Sequence, residues 1–276
     1  MVQLLNNKEN KILKIVIYVV CILLAIISIM PFWIMIMNAT RSTTEIQQHA
    51  ISLLPSTHMI KNLKILLGKS FNPARGFINS LIISVGSTGL AVYFSSLTAY
   101  ALTAYDWKLK RPFFSFIMAV MMIPAQVTMI GFYQMVYKIH MTNNLLMLIL
   151  PAIASPSMVF FMRQYLQSTL SMEIVQSARI DGAGPVKTFT AITLPYMLFV
   201  TTPQLITQFV GNINNFNVIY LLSNGSPTTE KYYQAGETDI LVTWLFKLTM
   251  NSQDYGLAAA IGILVFVICA TLSLIV

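Results

Sequence analysis

Charged side chains are scarce in this sequence: Asp, Glu, Lys and Arg make up 9% of its 276 residues, against about a quarter in soluble globular domains. Hydrophobic residues make up 56%. This composition excludes a soluble domain and indicates an integral membrane protein. The net charge of +8 does not indicate a nucleic-acid partner, because the basic residues are scattered through loops and tails, where anionic lipid favours them.

Cysteine and histidine are also rare. The two cysteines, Cys21 and Cys269, lie in apolar runs without a spacing motif, so we interpret them as small buried hydrophobic residues. The three histidines, His49, His58 and His140, lack the spacing of metal ligands. The sequence therefore predicts no metal site.

Six apolar runs are long enough to cross about 30 Å of hydrocarbon. They predict an all-α integral membrane bundle of six transmembrane helices in a single domain, residues 1–276. The runs cover residues 15–37, 77–104, 113–137, 142–163, 195–222 and 255–276. The second is rich in Gly, Ser and Thr, which let helices approach closely in lipid, so we expect it to be buried in the bundle. An outer loop at 230–254 is expected to carry a surface helix at 240–250.

Acidic residues are absent from all six runs. Carriers driven by protons or sodium usually keep an ionisable residue at membrane depth, so the sequence disfavours that mechanism. A neutral, hydrogen-bonding cavity suits a neutral polar solute. A membrane-embedded enzyme would need a buried acid, base or metal set, and none is visible, so no catalytic residue is predicted.

One long segment between the spans, residues 173–195, combines charge, helical periodicity and a glycine-containing turn. We call it the hinge segment. Its pattern predicts two short helices joined at Asp181, Gly182 and Ala183. The apolar residues of both arms are expected to form packed faces: Ile174, Ala178, Ile180, Phe189, Ile192 and Leu194. The polar residues are expected to face water or a partner: Gln176, Arg179, Asp181 and Lys187.

The spacing A-x-x-D-G-A-x5-F-x-x-I-x-L-P in the hinge segment resembles the EAA loop of ABC-importer permeases, in the branch that transports carbohydrates. Gln176 stands where that family has a glutamate. The resemblance implies the type I ABC importer permease fold, with a cytoplasmic coupling loop at residues 166–192 that fits a cleft on an ATPase subunit. The residues that it assigns to ATPase coupling are Gln176, Ser177, Ala178, Asp181, Gly182, Ala183, Phe189, Leu194 and Pro195.

The same resemblance implies partners and an orientation. The partners are a second homologous permease subunit, an ATPase dimer that binds ATP and Mg²⁺, and an extracellular solute-binding protein. No cofactor is expected in this chain. The short basic loop at 106–111 is typical of the cytoplasmic side. Four spans precede the hinge segment, so a multi-pass chain in the plasma membrane with a cytoplasmic amino terminus is predicted. The alternative is that the hinge segment is an amphipathic loop lying on the membrane surface.

The fifth run contains a group of asparagines that we call the amide cluster: Asn212, Asn214, Asn215 and Asn217. Buried amides need partners. With Tyr220 beside them, they offer the combination of amides and flat apolar faces that suits sugar rings. Residues 214–227 are similar to the larger membrane subunit of maltose-type importers, in which this region contributes to the sugar site, whereas residues 31–195 look more like the smaller subunit. The alternative role for these amides is to cap or cross-link helices around a kink at Gly211.

Together these features predict a non-catalytic permease subunit of an ATP-driven importer, whose substrate is a carbohydrate and most simply an oligosaccharide. Two alternatives stay open at this point. One is a permease for another neutral polar solute, and the other is a facilitator or channel that needs no ATP.

Overall fold

The computed structural model describes residues 7–68, 73–227 and 235–275, in which every regular element is helical. The first half contains α1 (Asn7–Ala39), α2 (Thr43–Gln48), α3 (Met59–Leu66), α4 (Pro73–Ala104), α5 (Lys110–Met121), α6 (Ala125–Lys138) and α7 (Leu146–Ile149), which continues into a 3-10 turn at Leu150–Ile153. The second half contains α8 (Pro156–Thr169), α9 (Met172–Ile180), α10 (Pro185–Thr188), a π-helical turn at Phe189–Thr193, α11 (Leu194–Ile213), α12 (Phe216–Ser223), α13 (Leu241–Met250) and α14 (Tyr255–Ile275). The predicted all-α class is confirmed.

Within the described residues, five helical stretches are long and apolar enough to cross a membrane: Leu13–Ala39, Pro73–Ala104, Leu146–Thr169, Pro185–Ser223 and Tyr255–Leu274. The predicted third span, 113–137, is instead divided between α5 and α6 at residues 122–124. Pro124 causes this break, because it has no N–H for the helix ladder and its ring clashes with the preceding turn. The predicted count of six continuous spans is therefore not confirmed. The last residue of the predicted sixth span, 276, lies outside the described residues.

Helix α4 lies at the centre of the bundle, against α8 and α11. Its packed side is made of small residues, which let the neighbouring helices approach closely. These residues are less than a tenth exposed: Ser80, Ser84, Ser87, Ala91, Ser95, Ser96 and Ala99. The prediction that the second span is buried is confirmed.

Among the side chains of helix α1 that the structure describes, those that pack lie near its carboxyl end. Its apolar stretch is unburied over the most hydrophobic window, and Phe32 meets Phe266 of α14 with ring centroids 5.7 Å apart. Cys21 is consequently exposed on the surface of α1. The prediction that Cys21 is buried was wrong, because an apolar sequence does not reveal which helices find a neighbour within the chain.

Helix α13 forms at the predicted place, but it is not a surface helix. It packs against α4 and α14, and Leu241, Trp244 and Leu248 on one face are at most 1% exposed. Lys247 is 4% exposed because its Nζ lies 2.7 Å from Oδ2 of Asp239, which is itself 1% exposed. This ion pair allows the charged residue of α13 to be buried.

The same carboxylate organises the loop before α13. Asp239 Oδ1 accepts from Thr243 Oγ1 at 2.8 Å, and Oδ2 accepts from the Gly236 N–H at 2.7 Å. The Asn79 amide of α4 donates to the Asp239 carbonyl at 2.9 Å. Gly225 has φ +74°, and a Cβ there would overlap the Asp239 carboxylate. The loop is thus tied to both α4 and α13.

Candidate functional site: the hinge segment and the amide cluster

The hinge segment forms the two short helices that its sequence predicts, α9 and α10. The Gly182 N–H donates to the Arg179 carbonyl at 3.1 Å, and the Ala183 N–H donates to the Ala178 carbonyl at 2.9 Å. This pair of bonds is the Schellman arrangement that ends a helix at a left-handed residue. Gly182 supplies that residue, with φ +82°. The chain reverses there without the strain that a side chain would add.

Much of the hinge segment faces outward. A Cβ added at Gly182 would meet nothing within 4 Å. Ile180 is 86% exposed and Val186 is 76% exposed. The predicted packed face of α9 was therefore wrong, since Val175 takes the buried position at 0% exposure while Ile174 and Ile180 point away. Exposed apolar side chains beside a tight glycine turn form a surface suited to a protein partner.

The residues assigned to coupling are spread over three levels of burial. The exposed ones are Gln176, Ser177, Asp181, Gly182 and Pro195. The half-buried ones are Ala178, Ala183 and Leu194, and Phe189 is buried. The outer members belong to the turn, while Phe189 and Leu194 anchor the segment to the bundle.

Arg179 was expected to face water or a partner, but it also contacts the end of α4. Its guanidinium carbon lies 4.9 Å from the ring centroid of Tyr105, and its Nη2 donates to the Ala104 carbonyl at 3.5 Å. Ala104 is the last residue of α4, whose final turn has no basic residue of its own. A cation at that end is favourable because the terminal carbonyls lack helical partners. The missing base in α4 is the only sequence signal for this contact.

An aromatic cluster extends this anchor into the bundle. The rings of Tyr100 and Tyr105 meet edge to face at 5.6 Å, and Tyr100 lies 5.4 Å from Phe189. Met172 and Leu194 pack against the same cluster. Met172, just before the hinge segment, and Phe189 and Leu194 in its second arm therefore pack at the end of α4, which links the exposed turn to the central helix.

The hinge segment continues into α11 through the π-helical turn, where the Leu194 N–H bonds to the Phe189 carbonyl. Pro195 follows at the start of α11 and has no N–H to satisfy a preceding carbonyl. Thr193 lies in the same turn with its side chain fully buried. The wider π turn is a local departure from α-helical register of the kind found at functional sites.

The amide cluster lies where the fifth predicted span breaks. Helix α11 ends at Ile213 and α12 begins at Phe216, so the break is at Asn214 and Asn215. Gly211 lies inside α11, three residues before the break, and Asn214 and Asn215 occupy the end of α11 and the start of α12. Unwound backbone between two half-helices is a recurrent feature of solute sites in transporters.

Two of the four amides have partners within the chain. Asn212 Nδ2 lies 3.1 Å from Thr88 Oγ1 of α4. Asn214 Nδ2 donates to the Val210 carbonyl at 3.3 Å and lies 3.5 Å from Cys269 Sγ. The side chains of Asn215 and Asn217 make no hydrogen bond to any described part of the protein. The cluster thus combines cross-links between helices with free amides.

Three aromatic rings stand next to the break. Tyr220 stacks on Phe216 with centroids 5.0 Å apart and an interplanar angle of 18°. Phe246 of α13 lies 4.8 Å from Phe216 and 5.0 Å from Tyr220. Phe246 was missed in the sequence, because it is distant along the chain and belongs to a helix expected on the surface. No group of three His, Cys, Asp or Glu side chains that could hold a metal occurs in the part of the chain that the structure describes.

The family model for "Binding-protein-dependent transport system inner membrane component" matches residues 91–276, more than half of the chain. The chain belongs to this family. The match includes the hinge segment, the amide cluster and the aromatic rings beside it. This inner membrane component is therefore a multi-pass membrane protein of a transport system. Its family consists of transport subunits, which are not catalytic.

Relatives of this inner membrane component include permeases of sugar transport systems. An arabinooligosaccharide transport system permease protein of Halalkalibacterium halodurans is 32% identical over 214 residues, which cover 77% of this chain and 76% of that protein. A maltodextrin transport system permease protein of Bacillus subtilis is 44% identical over 104 residues, which cover 37% of this chain and 24% of that protein. The higher identity is thus confined to a shorter stretch.

The fold is also shared with a solved transporter. A chain of a bacterial ABC transporter involved in the import of the acidic polysaccharide alginate superposes with a TM-score of 0.73 at 18% identity, covering 95% of this chain and 93% of that one. The predicted ABC importer permease fold is confirmed.

Proposed function

We propose that this chain is a permease subunit that imports a carbohydrate, most simply an oligosaccharide, and is driven by a separate ATPase through the hinge segment. The observation that carries the proposal is the exposed glycine turn of the hinge segment, joined by Arg179 and Phe189 to the end of the central helix α4. A family that depends on binding proteins and relatives that transport oligosaccharides support the carbohydrate assignment.

The hinge segment has the properties required of a docking element. Its turn is open at Gly182, its outer surface carries Ile180 and Val186, and its inner surface is fixed by aromatic packing. A partner that grips the turn would move α4 and α11 together, because both helices are attached to the same aromatic cluster. In this proposal an ATPase dimer binds the hinge segment in the cytoplasm and holds ATP and Mg²⁺, and the amino terminus lies on the same side of the membrane because four predicted spans precede the hinge segment.

The amide cluster is the proposed substrate path. Asn215 and Asn217 have free amides, and Tyr220 and Phe246 provide apolar ring surfaces beside them. Sugar hydroxyls pair with amides, while the less polar faces of sugar rings pack on aromatic rings. A second homologous permease would close the other side of the path. An extracellular solute-binding protein would deliver the sugar to the face opposite the ATPase.

The coupling role is tested with Gly182→Asp in the complete transporter, reconstituted in proteoliposomes with its second permease, ATPase and binding protein. We expect wild type to show ATP hydrolysis that is stimulated by the loaded binding protein, and Gly182→Asp to lose the stimulation and the uptake. Gly131→Ala is the matched control. A Cβ at Gly131 also meets nothing within 4 Å, and Gly131 lies outside the hinge segment. Uptake at the same rate without ATP would instead identify a facilitator or channel.

The substrate path is tested with Asn214→Leu and Asn215→Leu, measured by uptake of labelled maltodextrins and arabinooligosaccharides. Both variants should lower uptake while the complex still assembles and keeps its basal ATP hydrolysis. Unchanged uptake kinetics in both variants would assign these amides to helix packing. Uptake of a neutral solute other than a sugar by the wild type would support the alternative substrate class.

A further inference from the structure

Arg163 is a cation inside a helix that is apolar enough to cross a membrane. It lies in α8, roughly 9 Å along the axis before the last residue Thr169 at 1.5 Å per residue. Its Nε is buried and has no hydrogen-bond partner. None of the ion pairs formed among the described residues includes Arg163. The predicted spans contain no Asp or Glu, so they offer no acidic side chain to pair with Arg163.

Two aromatic rings hold the guanidinium in place without using its donors. The guanidinium carbon of Arg163 lies 3.9 Å from the ring centroid of Phe114 on α5. Phe114 in turn stacks on Phe160 of α8 at 6.4 Å, with an interplanar angle of 13°. A cation–π contact fixes the position of the group. The N–H groups therefore stay available for a planar, bidentate anion such as a phosphate.

The seam where α5 packs against α8, which we call the groove between α5 and α8, also carries a basic residue at its end. Arg111 is exposed and lies three residues before Phe114, which places the two residues on the same side of α5. Lys110 is occupied by Asp106, with its Nζ 3.0 Å from Oδ1. The groove therefore has one cation within it and another at its rim, both near the level where α8 ends and α5 begins.

The outer surface of α5 next to this groove is apolar. Met118 and Met121 are each 38% exposed and lie four and seven residues after Phe114, on the same side of α5. Acyl chains can cover such a surface, whereas a soluble anion would leave it bare. Charge and apolar surface thus occur together near the ends of two helices, which is the combination found in lipid-binding grooves.

We propose that the groove between α5 and α8 binds an anionic phospholipid, with the lipid phosphate on Arg163 and its headgroup toward Arg111. The lipid belongs to the leaflet in which α8 ends and α5 begins. The site needs neither an ATPase nor a sugar, so it stands independently of the proposed function.

The test uses the purified full chain in its transporter complex, incubated with equal amounts of phosphatidylglycerol and phosphatidylcholine and analysed by native mass spectrometry. We expect wild type to retain phosphatidylglycerol in preference, and Arg163→Met to lower that retention about fivefold, as expected for the loss of one basic contact. Arg163→Lys should restore most of the retention. Lys64→Met is the matched control, because it removes an exposed positive charge from α3, outside the groove.

Phe114→Leu provides a second test, because it removes the ring support and keeps every charge. Phe114→Leu should lower phosphatidylglycerol retention although Arg163 is still present. This variant keeps the proposal testable if Arg163→Met fails to fold. Equal retention in wild type, Arg163→Met and Phe114→Leu would overturn the proposal. So would displacement of the lipid by millimolar inorganic phosphate, which would identify a free-anion site. Dissociation of the complex by Arg163→Met with lipid retention unchanged would assign the countercharge to another subunit, and would also overturn it.

Discussion

The buried ion pair between Asp239 and Lys247 makes the sharpest stability prediction. The two side chains are separated by 2.7 Å and are at most 5% exposed. Lys247→Met removes one charge and leaves the Asp239 carboxylate buried with only Thr243 and the Gly236 N–H as donors. Breaking a buried pair from one side costs about 3–5 kcal/mol, because the remaining charge is uncompensated. We expect Lys247→Met to lower the free energy of unfolding by that amount.

The double variant Asp239→Asn/Lys247→Met separates the pair from its surroundings. With both charges removed, no buried charge is left uncompensated, so the double variant should be more stable than the sum of the single effects predicts. The difference should be about 1–3 kcal/mol for groups in direct contact.

Equilibrium unfolding in detergent with a denaturant measures these changes through the transition midpoint at constant slope. Trp244, one of three tryptophans in the chain, is buried one turn before Lys247, so its fluorescence reports on α13 when Trp33 and Trp107 are replaced by Phe. Lys64→Met serves as the control for losing an exposed lysine, with an expected change within about 0.5 kcal/mol. If Lys247→Met changes the stability by less than about 1 kcal/mol, or if the two single variants add without coupling, the ion pair does not hold the loop as described.

Three other variants test separate contacts. Arg179→Gln should leave basal ATP hydrolysis in place but reduce its stimulation by the loaded binding protein, because the hinge segment loses its cation at the end of α4; equal stimulation in both proteins would contradict this. Gly225→Ala should lower the thermal midpoint, since it adds left-handed strain of about 1–2 kcal/mol and a clash with Asp239; an unchanged midpoint would refute the close approach. Glu45 accepts from the Ser42 N–H at 2.9 Å, and this bond is the largest cause that lowers the pKa of Glu45. Because the pKa of Glu45 is lowered on folding, the carboxylate stabilises the folded state at pH values above its ordinary pKa of 4.5. This stabilisation is lost as the pH falls through the pKa of the folded state. Glu45→Gln should therefore speed hydrogen exchange in α2 at pH 7 but not at pH 3. Equal exchange in Glu45→Gln and wild type at pH 7 would contradict a stabilising role for the bond between Glu45 and Ser42.

Several features of the fold could be predicted because they depend on local chemistry. Gly182 and its neighbours encode a helix stop, and the Schellman bonds form there as expected. The small residues of α4 predicted a central helix, since only such residues let several helices approach at once. The break at Pro124 was not predicted, because the apolar run 113–137 is long enough to form one continuous span.

Several of the misplaced features depend on a residue far away in the chain. Helix α13 was predicted to lie on the surface, and contact with Asp239 instead buries its charged residue Lys247. Arg179 looked like a residue facing water or a partner, and only the end of α4 explains its inward contact. Phe246 gains its place beside Tyr220 through the packing of α13.

The sequence by itself determined the membrane class, the positions of most apolar helices, the hinge segment and the resemblance to importer permeases, because hydropathy and turn chemistry act over a few neighbouring residues. The tertiary structure alone decided which charges are buried in pairs, which amides are left free and which rings gather beside the break. Those outcomes depend on the energetics of distant groups brought together: a buried charge or amide is stable only beside its partner, and the packing of the helices determines where that partner lies.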